Sequence, residues 1–278
     1  MLTRILFRQI GASSSIRLIT SCRVLHKKRT PRAENAPIAH KLNSKQSFIV
    51  QHAKDYNLCV SAVPGSGKTT VAVAIMEGDP YRKTLIVTYS KLLQMETLDK
   101  ATKRGLGRNS PIFTIHALAG KLAGETIMDD KTLESFLRRI ESAPFTPKYR
   151  LDFDQIIVDE AQDLRLPHYR FTVALYNMVK EATRKSPRLI VMGDPKQAIY
   201  DYDGGDSRYL THADTILKDV TPYNWKRVEM TETHRFGVPS AEFVNIQSDP
   251  RTVILGSLVG SQKRPIFIKG TRPHDYPI

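Results

Sequence analysis

The chain has 278 residues, with 42 lysines and arginines against 28 acids and a net charge of +14. Hydrophobic content of 41% and charged content of 25% are those of an ordinary globular protein, long enough to bury a core. No apolar run approaches the roughly 18 residues of a membrane span, and two cysteines exclude a disulfide scaffold or a cysteine metal site.

The positive excess suggests a polyanionic partner such as nucleic acid, but it is unevenly spread. Residues 1–33 hold eight lysines and arginines and no acid, so the rest is only mildly basic. In that arm Arg4, Arg8 and Arg17 alternate with Leu2, Ile5, Leu6, Phe7 and Ile10 around a serine cluster. This is the composition of a mitochondrial transit peptide. His26 to Arg32 can also be read as a nuclear signal or a nucleic-acid-binding arm. The stretch to Pro37 reads as a linker, which makes residues 1–37 an appendage to the fold.

Leu42 to Gln46 opens a polar helical stretch, with Asn43 or Ser44 as its cap. Asn57 to Thr70, NLCVSAVPGSGKTT, is the stretch around which the chain is organised. A short apolar strand meets a turn with Pro64, Gly65 and Gly67, followed at once by Lys68, Thr69, Thr70 and a helical run. Strand, glycine-rich loop and helix form the context in which a phosphate loop works. Ala62, Val63, Pro64, Gly65, Ser66 and Gly67 would turn backbone N–H groups inward, and the helix end adds its positive dipole. Lys68 can reach the β- and γ-phosphates, and Thr69 is placed to ligate Mg²⁺. Ala62 stands where the strict pattern has glycine. Cys59, on the strand, reads as a small buried thiol.

Two further buried strands follow, Arg82 to Ser90 and Pro111 to Leu118. Strand ends at the carboxyl side of a parallel sheet face the ligand crevice. Tyr89 is thus a candidate stacking platform for a base, and Thr114 and His116 are candidate phosphate contacts. The alternative for each is a polar strand end bonded to its own loop. Gly120 to Tyr149 reads as a small helical insertion. In FDQIIVDEAQDL a β-branched run ends in Asp159 and Glu160, a Walker B arrangement. There Asp159 holds the metal shell, and Glu160 orients and deprotonates water. The strand from Arg188 to Met192 runs into GDPKQAIYDYDGGD. Gln197 is placed there to sense a γ-phosphate, with Tyr200 and Tyr202 following. Arg227 to Arg235 reads as one strand-like segment ending in His234 and Arg235, and Pro265 to Lys269 as another short strand.

LNSKQ, AVPGSGKTT, LIVTYSKLLQMET, FTIHAL, IIVDEAQDL, VMGDPKQAIYDYDGGD and METHRF stand in the order and spacing of superfamily 1 helicases. The chain resembles the UvrD/Rep type over about residues 41 to 240. The resemblance implies a RecA-like P-loop NTPase fold: α/β, a parallel sheet flanked by helices, with a short helical insertion. It also implies a motor that uses Mg-ATP to move along single-stranded DNA and separate duplex. Carried over, Gln46 resembles the adenine-reading glutamine, Lys68 and Thr69 the phosphate and Mg²⁺ residues, and Asp159 and Glu160 the metal-holding acid and catalytic base. Gln197 resembles the γ-phosphate sensor, and Arg235 the first arginine finger. His234 occupies a position usually held by an adenine-stacking tyrosine. Tyr89, Thr114, His116, Tyr200 and Tyr202 fall where the family lines its single-strand channel.

Three departures stand out: Asp203 where arginine is common, a short insertion, and a chain that ends at Ile278. The resemblance then implies a motor domain over residues 38–241 and only the start of a second RecA-like domain over 242–278. It also implies a partner supplying the rest, or else a nucleotide- and DNA-binding module that does not unwind.

Overall fold

A computed structural model describes residues 42–106, 110–198, 204–247 and 253–257. The arm 1–37, Tyr200, Tyr202, Asp203 and the strand expected at Pro265 to Lys269 lie outside the described residues.

The chain runs α1 (Ser44–His52), β1 (Asn57–Ala62), α2 (Lys68–Gly78), β2 (Thr84–Thr88), α3 (Lys91–Lys103) and β3 (Ile112–Thr114). It continues through α4 (Ile115–Ala123), α5 (Asp130–Ser142), β4 (Gln155–Asp159), α6 (Leu166–Thr183) and β5 (Arg188–Gly193). Two single turns, α7 (Arg208–Thr211) and α8 (Ala213–Ile216), precede β6 (Trp225–Met230), β7 (Glu232–Gly237), α9 (Val238–Gln247) and β8 (Leu255–Ser257).

Six strands form one parallel sheet in the order β3-β2-β4-β5-β1-β6. Both faces are covered, which explains why β1, β2, β4 and β5 are continuous apolar runs rather than alternating ones. Successive side chains still point to opposite faces. Leu85, Val87, Ile156 and Val158 pack against Leu118, Phe136, Phe171 and Tyr176 of α4, α5 and α6. Leu58, Val60, Ile86 and Ile157 pack against Ile49, Val71 and Ile75 of α1 and α2. The register sets Ser61 level with Gly193, Ala62 with Met230, and Thr88 with Thr114 and Asp159. The carboxyl ends of the strands therefore form one rim. This is the RecA-like α/β architecture that the motifs imply.

Two segments differ from the sequence reading. Pro111 to Leu118 is strand only to Thr114; Thr114 Oγ1 accepts from the Ala117 N–H at 3.3 Å and caps α4. Ile115, Leu118, Ala119 and Leu122 then recur at helical spacing and are buried, so His116 lies in the first turn of a helix. Arg227 to Arg235 is not one strand but two, in different sheets. The Met230 carbonyl accepts from Val63, whereas the Thr231 carbonyl accepts from Leu255 at 2.8 Å and starts a separate parallel pair, β7 and β8. The sheets divide at Thr231, and the boundary expected at 241/242 falls inside α9. Ala241 of that helix packs with Val63 and Ile254.

Candidate nucleotide-binding site

Between β1 and α2 the backbone must turn sharply, and two glycines take left-handed angles, φ +74° at Gly65 and +91° at Gly67. Such angles strain a residue with a β-carbon. Gly67 also opens α2, which has no acid in its first turn and no side chain capping it, so its N–H groups and dipole end are available to an anion. The Ser66 N–H donates to the Val63 carbonyl at 3.1 Å, and the Ser66 hydroxyl is buried without a partner.

The loop is gripped from two sides. Behind it lies Gln46, 4% exposed, whose amide donates to the Ser66 carbonyl at 2.9 Å and accepts from the Asn43 N–H at 3.0 Å. That capping box, with Asn43 as the cap, fixes α1 against the loop. In front lies β7. The Thr233 hydroxyl donates to the Pro64 carbonyl at 2.7 Å, and the His234 N–H to the Gly65 carbonyl at 2.9 Å. A β-carbon on Gly65 would sit 2.5 Å from Cβ of Arg235.

β4 delivers the carboxylates. Asp159 is 3% exposed, and its Oδ1 accepts from the Glu160 N–H at 2.9 Å. Burial, reinforced by the Glu160 charge and opposed by Lys68, pushes its carboxyl up to about 7. Glu160 takes φ +55°, a strained value for a side-chain-bearing residue and a feature of working sites. The Lys68 ammonium lies 3.5 Å from Glu160 Oε1, so the glycine loop and the carboxylate pair face each other.

Between them opens a cavity of about 380 Å³. Of the sequence-predicted residues, Pro64, Gly65, Lys68, Glu160, Gln197 and Arg235 line it. Tyr89 lines it too, and its ring meets His168 edge-on at 5.6 Å. Thr69 and Thr70 are half-buried in the first turn of α2, while Ala62 and Val63 are buried below the loop. An apolar cleft of about 470 Å³ beside α5 and α6 holds none of the predicted residues.

Thr114 and His116 are both engaged within the chain. Asp130 Oδ1 accepts from His116 Nε2 at 3.0 Å and from His168 Nε2 at 2.7 Å, and its Oδ2 from Arg165 at 2.9 Å. His168 Nδ1 accepts a backbone N–H at 3.2 Å, which places the ring proton on Nε2. The cluster is therefore a hydrogen-bonded knot rather than a metal centre.

Asp194 and Gln162 carry no assigned role in the sequence reading. Asp194 is 1% exposed, and burial raises its carboxyl while Lys68 lowers it and Glu160 raises it further. Its signal is the same as that of Asp159, an apolar strand running straight into an acid. Asp194 Oδ2 and the Thr88 hydroxyl are buried and unpartnered. The buried Asp159 carboxylate, level with Thr88 in the sheet, is a hard oxygen donor of the kind that suits Mg²⁺.

A glycine-built anion nest, a lysine and a carboxylate pair (Asp159 buried, Glu160 half-buried) on the rim of a parallel sheet define a P-loop nucleotide-binding domain. The chain belongs to the AAA domain family, whose profile matches residues 46–203, more than half of its length. It is 28% identical over 141 residues to an ATP-dependent helicase/nuclease component from Staphylococcus haemolyticus (strain JCSC1435), covering 46% of this chain and 11% of that one. Similar solved structures include the Pif1 helicase from Bacteroides in complex with ADP-AlF3 and ssDNA, at 18% identity, 76% of this chain, 48% of that chain and TM-score 0.45. Another is the Arterivirus nonstructural protein 10 (helicase) with DNA, at 14% identity, 81% and 48% coverage, and TM-score 0.42. The chain spans about a tenth of the curated relative and about half of these helicases. The superfamily 1 motifs of UvrD/Rep type agree with the family and with the curated relative.

Proposed function

We propose that the chain is the ATP-binding motor domain of a superfamily 1 DNA helicase, binding and hydrolysing Mg-ATP while contacting single-stranded DNA. The observation that carries this reading is the approach of Lys68 to Glu160 across the cavity. Triphosphate oxygens would lie on the Gly65–Gly67 N–H groups and the N-terminus of α2, with Lys68 neutralising the β- and γ-phosphates. Asp159 and Thr69 are the metal-holding residues in this reading. The bound Mg²⁺ supplies charge neutralisation at the phosphates.

Glu160 orients a water on the γ-phosphorus. As the water oxygen bonds to phosphorus and the bond to the ADP oxygen breaks, the water proton passes to the Glu160 carboxylate. Gln197 and Arg235 line the same cavity and face the charge that develops there. Gln46 braces the loop through Ser66 and is the candidate adenine reader, and His234 lies at the loop's front edge. Tyr89, Thr114 and His116 are the described candidates for DNA contact. Thr114 and His116 would have to exchange their present partners for phosphates. Among the described residues no helix is long and apolar enough to cross a membrane.

The test is ATP turnover with and without single-stranded DNA, beside a strand-separation assay. Stimulated turnover supports the motor, turnover without separation supports a non-unwinding module, and a Glu160→Gln chain with unchanged turnover refutes the site. We propose residues 1–37 as a mitochondrial transit segment; a fluorescent fusion that accumulates in the nucleus instead would refute that.

A further inference from the structure

Gln162 lies two residues beyond Glu160, in the short turn Ala161–Asp163, and is 2% exposed. Its amide nitrogen donates to Glu160 Oε2 at 2.8 Å and to Asp163 Oδ2 at 3.0 Å. Its amide oxygen accepts from the Asp194 N–H at 3.0 Å. Both amide protons and the oxygen are thus committed, in a buried place where a lost partner is costly. A β-carbon on Gly193 would lie 2.2 Å from that oxygen, so glycine is what admits the amide there.

Asp194 opens the turn that carries Gln197. Its Oδ1 accepts from the Lys196 N–H at 3.0 Å, and its carbonyl from the Gln197 N–H at 3.0 Å. One side chain therefore joins the carboxylate at the end of β4 to the sensor turn at the end of β5. The two strands are neighbours in the sheet, but their register pairs stop at Val158 and Val191, short of both loops. Beyond the ladder, Gln162 bridges the two loops.

We propose that Gln162 is a positioning residue that holds the Glu160 carboxylate toward the attacking water and ties it to the 193–197 turn. This rests on the ATPase reading above. Glu160 needs such a hold because its φ of +55° is unfavourable for a residue with a side chain. When Lys68 turns to a phosphate and leaves Glu160, the Gln162 amide is the contact that keeps the carboxylate aimed. A shift of the sensor turn then moves the base, and a shift of the base moves the turn.

The test uses the full chain as wild type, Gln162→Leu and Gln162→Glu, with two measurements. The first is hydrogen exchange at the Asp194 amide without nucleotide; the second is kcat and KM for ATP. Gln162→Leu should speed Asp194 exchange by roughly fivefold or more, the loss of one net hydrogen bond. It should lower kcat by about 10²-fold, the effect of a misplaced group, and leave KM within about twofold. Gln162→Glu keeps an oxygen for Asp194 but loses both N–H groups, so exchange should stay near wild type while kcat falls as far. A purely structural role would instead speed exchange throughout the domain and raise KM with it. Wild-type Asp194 exchange or wild-type kcat in Gln162→Leu overturns the proposal. A wild-type chain that hydrolyses no ATP refutes the proposed function instead, and the Asp194 amide then decides the bridge alone.

Discussion

Replacing Gly65 by alanine tests the grip of β7 on the phosphate loop, and Gly105 provides its control. Both residues hold φ +74°. A β-carbon in that region costs about 1–2 kcal/mol. At Gly105 nothing lies within 4 Å of the added carbon. At Gly65 it meets Cβ of Arg235 at 2.5 Å, the Thr233 hydroxyl at 2.8 Å and the Arg235 nitrogen at 3.2 Å. Carbons in ordinary contact are about 3.5–4.0 Å apart, so β7 must retreat by about 1 Å. A displacement of that size in a positioned group costs about 10²-fold in rate. Both variants should lose a few degrees of melting temperature, since roughly 1 kcal/mol is worth about 2–4 °C in a domain of this size. Gly65→Ala alone should lose about 10²-fold in kcat, because it alone displaces Arg235. Steady-state ATPase assays and thermal melts on both proteins decide this. Full turnover in Gly65→Ala, or an equal loss in Gly105→Ala, refutes the reasoning.

Further outcomes follow from the same geometry. Glu160→Gln should bind nucleotide at wild-type affinity and lose about 10²–10⁴-fold in turnover, the contribution of a general base, read by equilibrium binding beside kcat. Asp159 is raised from its ordinary value to about 7, so the native state binds the extra proton between about pH 4 and 7, and stability falls as pH rises through that window. Asp159→Asn should flatten that slope in metal-free thermal melts; a slope unchanged by the substitution contradicts the burial argument. Cys59 is buried, its thiol pushed up to about 11 and donating to the Leu210 carbonyl at 2.9 Å. In a Cys22→Ser chain it should resist maleimide at pH 8 until the protein is unfolded.

The sheet and the loop are legible because their signals are contiguous. Leu58 to Thr70 contains strand, turn glycines, lysine and helix start in one stretch, and Ile156 to Glu160 contains strand and acids. What cannot be read is decided by partners far away in sequence. Whether Thr231 continues a strand depends on the Leu255 N–H, and His116 is held by Asp130 of the next helix. In sequence the Gln46 amide is open to read a base, yet in the fold it already holds Ser66 and Asn43. Tyr89 reads as a nucleic-acid platform, and the sequence does not show that it also lines the cavity with Lys68 and Glu160. The reach of Gln162 to Asp194 crosses 32 residues and leaves no periodic trace.

Equilibrium binding of Mg-ATP to wild type and to Lys68→Ala tests most directly whether the triphosphate sits between the glycine loop and the carboxylate pair. Loss of detectable binding in the variant, with the fold intact by circular dichroism, is the predicted result. Equal affinity in the two proteins would contradict it and remove the ground for every role assigned around the cavity.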